Sequence, residues 1–174
     1  MRHFLSLVDR LTRAGAYMAA AIVAAMFAHI LLEIILRSAF DTSTYVLDEF
    51  VGYGVAASTF LGLGYTLHNG GLIRVNLVLA KIRHRGLRQA LEILCITACF
   101  SVFAVVWLNF WNSITRNWAR GTVSETVAAV PMWIPEGLLL LGLTIFLLQL
   151  FAYAIRVVRG EPMIGRNDAS ASAE

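Results

Sequence analysis

Four charged residues that border long apolar segments are the first candidates for chemistry: Glu33, Arg37, Asp48 and Glu49. Glu33 precedes Arg37 by four residues, the favourable order for an ion pair along one helix face, and the two could instead contact a partner subunit. Asp48 and Glu49 open an apolar segment, where the helix dipole stabilises carboxylates. Adjacent carboxylates can also bind a cation, although the sequence shows no further ligands of such a site.

Two histidines and two cysteines also lie in or beside apolar segments. His29 and His68 could hold a haem, but at 1.5 Å per residue they should be separated by about half the membrane or more. Cys95 and Cys99 share one helix face, and we interpret them as small packing residues rather than as metal ligands. We therefore expect no metal and no cofactor.

Evidence for catalysis is absent from the sequence. It contains no Ser/His/Asp constellation, HExxH, P-loop or CxxC motif. Asn109 and Gln149 are isolated amides that we expect to bond to neighbouring helices. A basic stripe with interleaved aromatics, typical of nucleic-acid binding, is also missing. We predict that the protein is not an enzyme and has no nucleic-acid partner.

The elements that position these residues are four apolar segments, over about 14–36, 50–67, 90–111 and 137–158. A bilayer core needs about 20 apolar residues per helix. The 174-residue chain is 59% hydrophobic and 14% charged, against about 25% charged in soluble domains. We predict an all-α membrane protein with four transmembrane helices in a single membrane domain over 1–160, followed by a disordered cytoplasmic tail over 161–174.

Two amphipathic segments, about 3–13 and 72–88, are predicted to form short interfacial helices. The second could bind anionic lipid through Arg74, Lys81 and Arg83. Its basic residues could instead serve only to set the topology, and the sequence leaves both readings open.

The distribution of basic residues predicts the orientation, because Lys and Arg mark the cytoplasmic side. Eleven of the fourteen lie in three segments: Arg2, Arg10 and Arg13; Arg74, Lys81, Arg83, Arg85 and Arg88; Arg156, Arg159 and Arg166. Both termini should therefore be cytoplasmic. Trp111, Trp118 and Trp133 then lie at the outer interface, the level that Trp prefers. The four charged residues named first should organise the outer face.

Two ridges of small residues could allow close helix packing. They are Gly54, Ser58 and Gly62 in the second span, and Ala20, Ala24 and Ala28 in the first. The ridges could pack on each other within the chain, or one could receive a helix of another protein. Internal repeats and broken helices, which are common in free-standing transporters, are missing. This favours an accessory subunit.

A further pattern extends from the first span to the second loop. It reads Ile35-Leu36-Arg37-x-x-Phe40, Asp48-Glu49, Phe60-Leu61-Gly62-Leu63-Gly64-Tyr65-x-Leu67 and Gly71-Leu72-Ile73-Arg74-Val75-Asn76, with Pro131–Trp133 before the last span. This resembles the small permease subunit of tripartite ATP-independent periplasmic (TRAP) transporters. The sequence departs from that family at Leu72, where the family usually has His, and at Asn76, where it usually has Asp.

The resemblance implies a four-helix subunit of a bacterial inner (cytoplasmic) membrane complex. It would scaffold a large permease subunit that carries out sodium-coupled uptake of an organic acid. A periplasmic binding protein would deliver that acid, and membrane lipids would surround the complex. Two alternatives stay open, namely the membrane anchor of an electron-transfer enzyme and a small self-standing carrier.

Overall fold

The computed structural model describes residues 2–69 and 85–159, which form four helices. They are α1 (Arg2–Phe40), α2 (Leu47–His68), α3 (Arg85–Arg120) and α4 (Trp133–Arg159). Each helix is long and apolar enough to cross a membrane, and the described ranges contain no strand. The predicted all-α, four-helix architecture is confirmed. Residues 70–84, with Arg74, Lys81 and Arg83, and the tail from 160 onward lie outside the described residues.

The first helix is longer than its apolar segment. It has 39 residues and, at about 1.5 Å per residue, a length of roughly 58 Å. Residues 3–13, predicted as a separate interfacial segment, are its first turns. Leu5 and Val8 in these turns are buried together with Ala152 of α4. Packing against α4 therefore continues the helix through a polar stretch that the apolar pattern alone would exclude.

The bundle has two ends, which we call the Asp9 end and the Glu33 end. On α1, Asp9 and Glu33 are 24 residues apart, which corresponds to about 36 Å along the helix axis. That length slightly exceeds the roughly 30 Å hydrocarbon core of a bilayer. The two ends are therefore separated by about the thickness of the membrane.

Helix α4 is the central element, because it packs against α1, α2 and α3, whereas α3 packs mainly on α4. Leu143, Phe146 and Leu150 of α4 form the largest core cluster with Leu67 and Ile96. The rings of Phe103 and Phe146 meet edge to face, with centroids 4.7 Å apart. Burial of these apolar side chains joins three helices into one unit.

Glycines allow α1, α2 and α4 to approach closely. A Cβ on Gly142 of α4 would lie 2.7 Å from the backbone of Phe60 and Leu61. A Cβ on Gly54 of α2 would lie 2.7 Å from Cγ of Met26. The first contact is with backbone, so Gly142 requires glycine as the helices are packed, whereas the second is with the flexible side chain of Met26, which a small shift can relieve.

A short hairpin over 121–132 connects α3 to α4 at the Glu33 end. Its backbone bonds run from Ser124 N to Val130 O at 2.9 Å and from Met132 N to Thr122 O at 3.1 Å. Gly121 begins the turn with a φ of +61°, a conformation that glycine adopts without a steric cost. The hairpin thus has a defined shape beside α2.

Candidate functional site

Glu33 is a nearly buried carboxylate, 2% exposed, that binds its own chain. Arg37 Nε donates to Oε1 at 2.8 Å, and Thr44 donates to Oε2 from its backbone N at 2.9 Å and from its hydroxyl at 2.6 Å. The hydroxyl of Ser43 also donates to Oε1. The structure therefore contains the i, i+4 ion pair predicted from the sequence. The pair belongs to a larger group of hydrogen bonds around one carboxylate, which we call a carboxylate staple, and this staple fixes the connection between α1 and α2.

The neighbouring carboxylates Asp48 and Glu49 have different surroundings. Glu49 accepts bonds from the Tyr53 hydroxyl at 2.7 Å and from the Thr126 hydroxyl of the hairpin. Asp48 is exposed. Among the described residues, no group of three or more His, Cys, Asp and Glu side chains could hold a metal ion. Glu49 instead joins α2 to the hairpin.

Glu136 forms a third carboxylate staple at this end, which the sequence reasoning missed. Ser113 Oγ donates to its Oε1 at 2.9 Å, and Asn117 Nδ2 lies 3.0 Å and 2.9 Å from its two oxygens. The bonds join the last part of α3 to the first turn of α4. The sequence did contain a signal for this contact. Glu136 lies in the first turn of the last helix, and hydroxyl and amide side chains lie near the end of the preceding helix.

The Asp9 end has a polar cluster of a different kind, which joins three helices. Arg156 Nη2 lies 2.9 Å and 2.8 Å from the two oxygens of Asp9. His68 Nδ1 lies 3.2 Å from Asp9 Oδ1 and 3.1 Å from Gln149 Nε2. Thr12 Oγ1 lies 3.3 Å from Gln149 Oε1. We call these five residues the Asp9 cluster.

One ring nitrogen cannot both donate to Asp9 and accept from Gln149, so two arrangements of the hydrogens fit the Asp9 cluster. In the first, His68 Nδ1 accepts from the Gln149 amide, Thr12 donates to the Gln149 oxygen, and Arg156 alone binds Asp9. In the second, the proton of a neutral His68 is on Nδ1 and is donated to Asp9, and the Gln149 amide is turned so that its oxygen faces the ring. Its NH₂ group then donates to Thr12. Arg156 already balances the Asp9 charge, so this arrangement leaves no net charge in the cluster.

The sequence reasoning missed this cluster as a unit. It treated His68 only as a possible haem ligand. Gln149 does bond to a neighbouring helix as expected, whereas the expectation was wrong for Asn109, which donates to the Val105 carbonyl of its own helix at 2.8 Å. His29 lies at the other end, with Nε2 3.5 Å from the Thr44 hydroxyl. The two histidines therefore cannot ligate one iron. Cys95 is exposed, and Cys99 packs against the core beside α4.

The two small-residue ridges do not pack on each other. Gly54 faces Met26 and Ile22 of α1, whereas Ala20, Ala24 and Ala28 are exposed. Ser58 donates to the Val55 carbonyl of its own helix at 3.1 Å. No other group lies within 4 Å of a Cβ placed on Gly62. Gly54 therefore makes a close contact with α1, and a role of the other five residues at a subunit interface stays a prediction.

An open face of α2 became apparent only in the structure. It consists of Gly52, Val55, Thr59, Gly62 and Thr66, which lie on the side turned away from the buried residues of α2. Thr59 and Thr66 each donate to a carbonyl of their own helix, at 2.7 Å and 3.1 Å. No other group lies within 4 Å of a Cβ on either glycine. This face consists of small residues with two threonine hydroxyls, and α2 is the least apolar of the four candidate spans.

Comparison with known proteins identifies a family. Residues 26–160 match the model of a family described as "Tripartite ATP-independent periplasmic transporters, DctQ component". The match covers α2, α3, α4 and the second part of α1, which is well over half of the chain, while Asp9 and Thr12 precede it. No curated protein matches the chain, and no solved structure does.

Proposed function

The chain belongs to the DctQ component family of tripartite ATP-independent periplasmic transporters, and from this premise we propose that it is a non-catalytic scaffold subunit. It would hold the static part of a large permease subunit in the membrane. The large subunit would carry out sodium-coupled uptake of an organic acid, which a periplasmic binding protein delivers. The resemblance read from the sequence is confirmed at the level of the family.

The open face of α2 is the observation that carries this proposal. Lipid-facing helix surfaces are usually covered by large apolar side chains, whereas interfaces between membrane helices are enriched in small residues. Gly52 and Gly62 leave open space on α2, and Thr59 adds a small polar group between them. A helix of a second protein could approach this face closely. We therefore propose that α2 contacts the large permease subunit.

The carboxylates of the Glu33 end support a structural rather than an ion-binding role. Glu33, Glu49 and Glu136 each accept hydrogen bonds from side chains of this chain. A sodium ion would have to displace these donors. We propose that the coupling ion and the substrate bind in the large subunit, and that these three side chains fix the outer face.

The hairpin at the Glu33 end would supply part of the docking surface for the binding protein. Val127 at its tip is 81% exposed, and Arg116 and Arg120 are exposed on the last turns of α3. With both termini in the cytoplasm of a bacterium, as the basic residues predict, this hairpin lies on the periplasmic side of the inner membrane. We propose that the exposed valine and the two arginines contact a soluble partner on that side.

Co-purification with the large permease subunit tests the proposal. Both proteins are expressed together, a tag on this chain is used for capture, and the recovered large subunit is quantified. We expect stoichiometric recovery with the unmodified chain. We expect Gly62→Trp to reduce recovery roughly tenfold or more, which corresponds to about 1.4 kcal/mol of binding free energy, because the bulky ring prevents close helix approach.

The matched control is Val102→Trp, which places the same ring on an exposed position of α3, where the valine is 62% exposed. Helix content from circular dichroism must be equal for the two variants. Equal recovery with both variants would refute the α2 interface. Failure of the unmodified chain to recover any large permease would refute the subunit function itself.

A further inference from the structure

The hairpin between α3 and α4 is held in place by hydrogen bonds rather than by burial. None of residues 121–132, all of which the structure describes, is buried, and Val127 at the tip is 81% exposed. Two backbone bonds join the two arms of the hairpin. A segment with few buried contacts opens at a lower cost in free energy than the packed helices that flank it.

The base of the hairpin is fixed more firmly than its tip. Glu136 in the first turn of α4 accepts bonds from Ser113 and Asn117 of α3, so the two helices that carry the hairpin are joined at its base. Gly121 connects the hairpin to α3 with a φ of +61°. Hinges consist of a few loop residues that absorb a change in φ and ψ. Rotation about Gly121 would move the tip and leave the helices in place.

A carboxylate of α2 receives the tip. The hydroxyl of Thr126 donates to Glu49 Oε2, and the hydroxyl of Tyr53, one turn further along α2, donates to Oε1 at 2.7 Å. Tyr53 Oη also lies 3.5 Å from Sδ of Met132 at the base of the hairpin. We call these four residues the α2 latch. Within residues 2–69 and 85–159, Glu49 has no basic ion-pair partner, and its charge is stabilised by hydroxyl groups.

The latch has a preformed donor, and solvent can compete with it. Ser124 fixes Thr126 within the tip, because Ser124 Oγ lies 2.7 Å from Thr126 Oγ1 and accepts from the Thr126 backbone N at 3.2 Å. Thr126 itself is exposed, so a water molecule can replace it as the donor to Glu49. The bond between the tip and α2 can therefore break and form again without unfolding of the hairpin.

We propose that the hairpin is a hinged strap whose tip is held on α2 by the latch. While Thr126 is bound to Glu49, the tip has one position. When this bond is lost, the tip swings about Gly121. If a soluble partner docks on the tip, which rests on the function proposed above, it acts on the first turn of α2 through Glu49. The strap itself is a property of this chain alone, so its test does not depend on the subunit function.

Distances between spin labels on the full chain in dodecyl maltoside micelles provide the test. Cys95 and Cys99 are replaced by alanine. One label is attached at the tip through Val127→Cys, and the other through Ser38→Cys, an exposed position near the end of α1. Double electron–electron resonance gives the distribution of the distance between the labels. We expect a single narrow distribution when the latch is intact.

Two substitutions open the latch from opposite sides. Glu49→Ala removes the carboxylate, and Thr126→Val removes the hydroxyl but keeps the shape of the side chain. Each should roughly double the width of the distance distribution, because the tip then samples open positions. The double variant should be no broader than either single variant. Asp48→Ala is the matched control, since it removes the neighbouring exposed carboxylate of α2, and it should leave the distribution narrow.

A second pair of labels, attached through Arg116→Cys and Ser38→Cys, reports on α3 and α1 instead of the tip. Its distance distribution should be the same in every variant, because the helices do not move.

A narrow tip distribution in both Glu49→Ala and Thr126→Val would overturn the proposal, because packing would then hold the tip. A broad tip distribution in the unmodified latch would do the same, since no closed state would exist. Equal broadening in Asp48→Ala would show that loss of charge is the cause, and broadening in the second label pair would show that the whole bundle loosens. Either result would contradict a latch at Glu49.

Discussion

The two ends of the bundle are held together in different ways. At the Glu33 end, Glu33 binds Arg37, Ser43 and Thr44, all within 11 residues of it. At the Asp9 end, Asp9 binds Arg156 from a position 147 residues earlier in the chain. The first arrangement fixes a connection between consecutive helices. The second joins the start of α1 to the end of α4, two helices that are far apart in the chain.

The two ends also differ in burial. Both carboxylates are shielded, since Glu33 is 2% and Asp9 is 17% exposed, but their basic partners differ: Arg37 is 65% exposed, whereas Arg156 is 14% exposed. Solvent screens an exposed ion pair, which typically contributes about 0–1 kcal/mol. Removal of one partner from a buried pair leaves an uncompensated charge, at a cost of about 3–5 kcal/mol. The comparison predicts that equivalent substitutions have unequal effects at the two ends.

The largest effect is expected for Arg156→Gln. It leaves Asp9 charged in a cluster that is mostly shielded from solvent, and we expect the free energy of unfolding in detergent to fall by about 3–4 kcal/mol. Chemical denaturation followed by circular dichroism measures the change. The double variant Asp9→Asn/Arg156→Gln should recover most of the loss, because it buries no unpaired charge. A loss of less than 1 kcal/mol in the single variant would contradict the contrast between the ends.

A smaller effect is expected in the middle of the bundle, where α2 and α4 approach closely. Gly142→Ala places a methyl group 2.7 Å from the backbone of α2, and overpacking of this kind costs about 1–3 kcal/mol. The control is Gly137→Ala in the same helix, where no other group lies within 4 Å of the new Cβ. That variant should be neutral or stabilised by about 0.5–1 kcal/mol. If both variants behave alike, α2 and α4 are not in close contact there.

A local effect is expected for Glu33→Gln, because the staple fixes a connection rather than the bundle. The neutral amide loses the charge-assisted bonds from Arg37 and Thr44. Hydrogen exchange should become roughly tenfold faster at the Thr44 amide, while the amides in the middle of α2 keep their protection. Faster exchange along the whole of α2 would show that the Glu33 end also holds the helices together.

The smallest effect is expected for a single bond between helices away from both ends. Trp107 Nε1 donates to the Thr144 hydroxyl at 2.9 Å, and such bonds in membrane proteins contribute about 0.6 kcal/mol on average. Trp107→Phe and Thr144→Val should each lose about this amount, and the double variant should lose no more than either. Additive losses would mean that the two side chains do not interact.

The same contrast explains what could be predicted from the sequence. Four apolar segments suffice to predict four helices, because a bilayer leaves few other ways to satisfy the backbone. The pair of Glu33 and Arg37 is visible because i, i+4 spacing determines proximity within one helix. The Asp9 cluster is not visible, since its members become neighbours only through the packing of α1, α2 and α4. The true start of α1 was missed for the same reason.

The glycines of α2 show a second limit. Gly54 and Gly62 have the same type and lie on what spacing alone describes as one ridge, yet Gly54 contacts Met26 and Gly62 is open. Eight residues turn a helix by about 80° beyond two full turns, so the two positions face different neighbours. The rotation of α2 about its axis decides which one packs internally, and that rotation is set by α1 and α4.

Site-specific photo-crosslinking tests the central claim most directly, namely that this chain is a transporter subunit that contacts its large permease through α2. A benzophenone amino acid replaces Gly62 in one variant and Val102 in the other, and both are expressed with the large permease. We expect a crosslink to the large subunit from position 62 and none from position 102. A crosslink from position 102 alone, or from neither position, would contradict it.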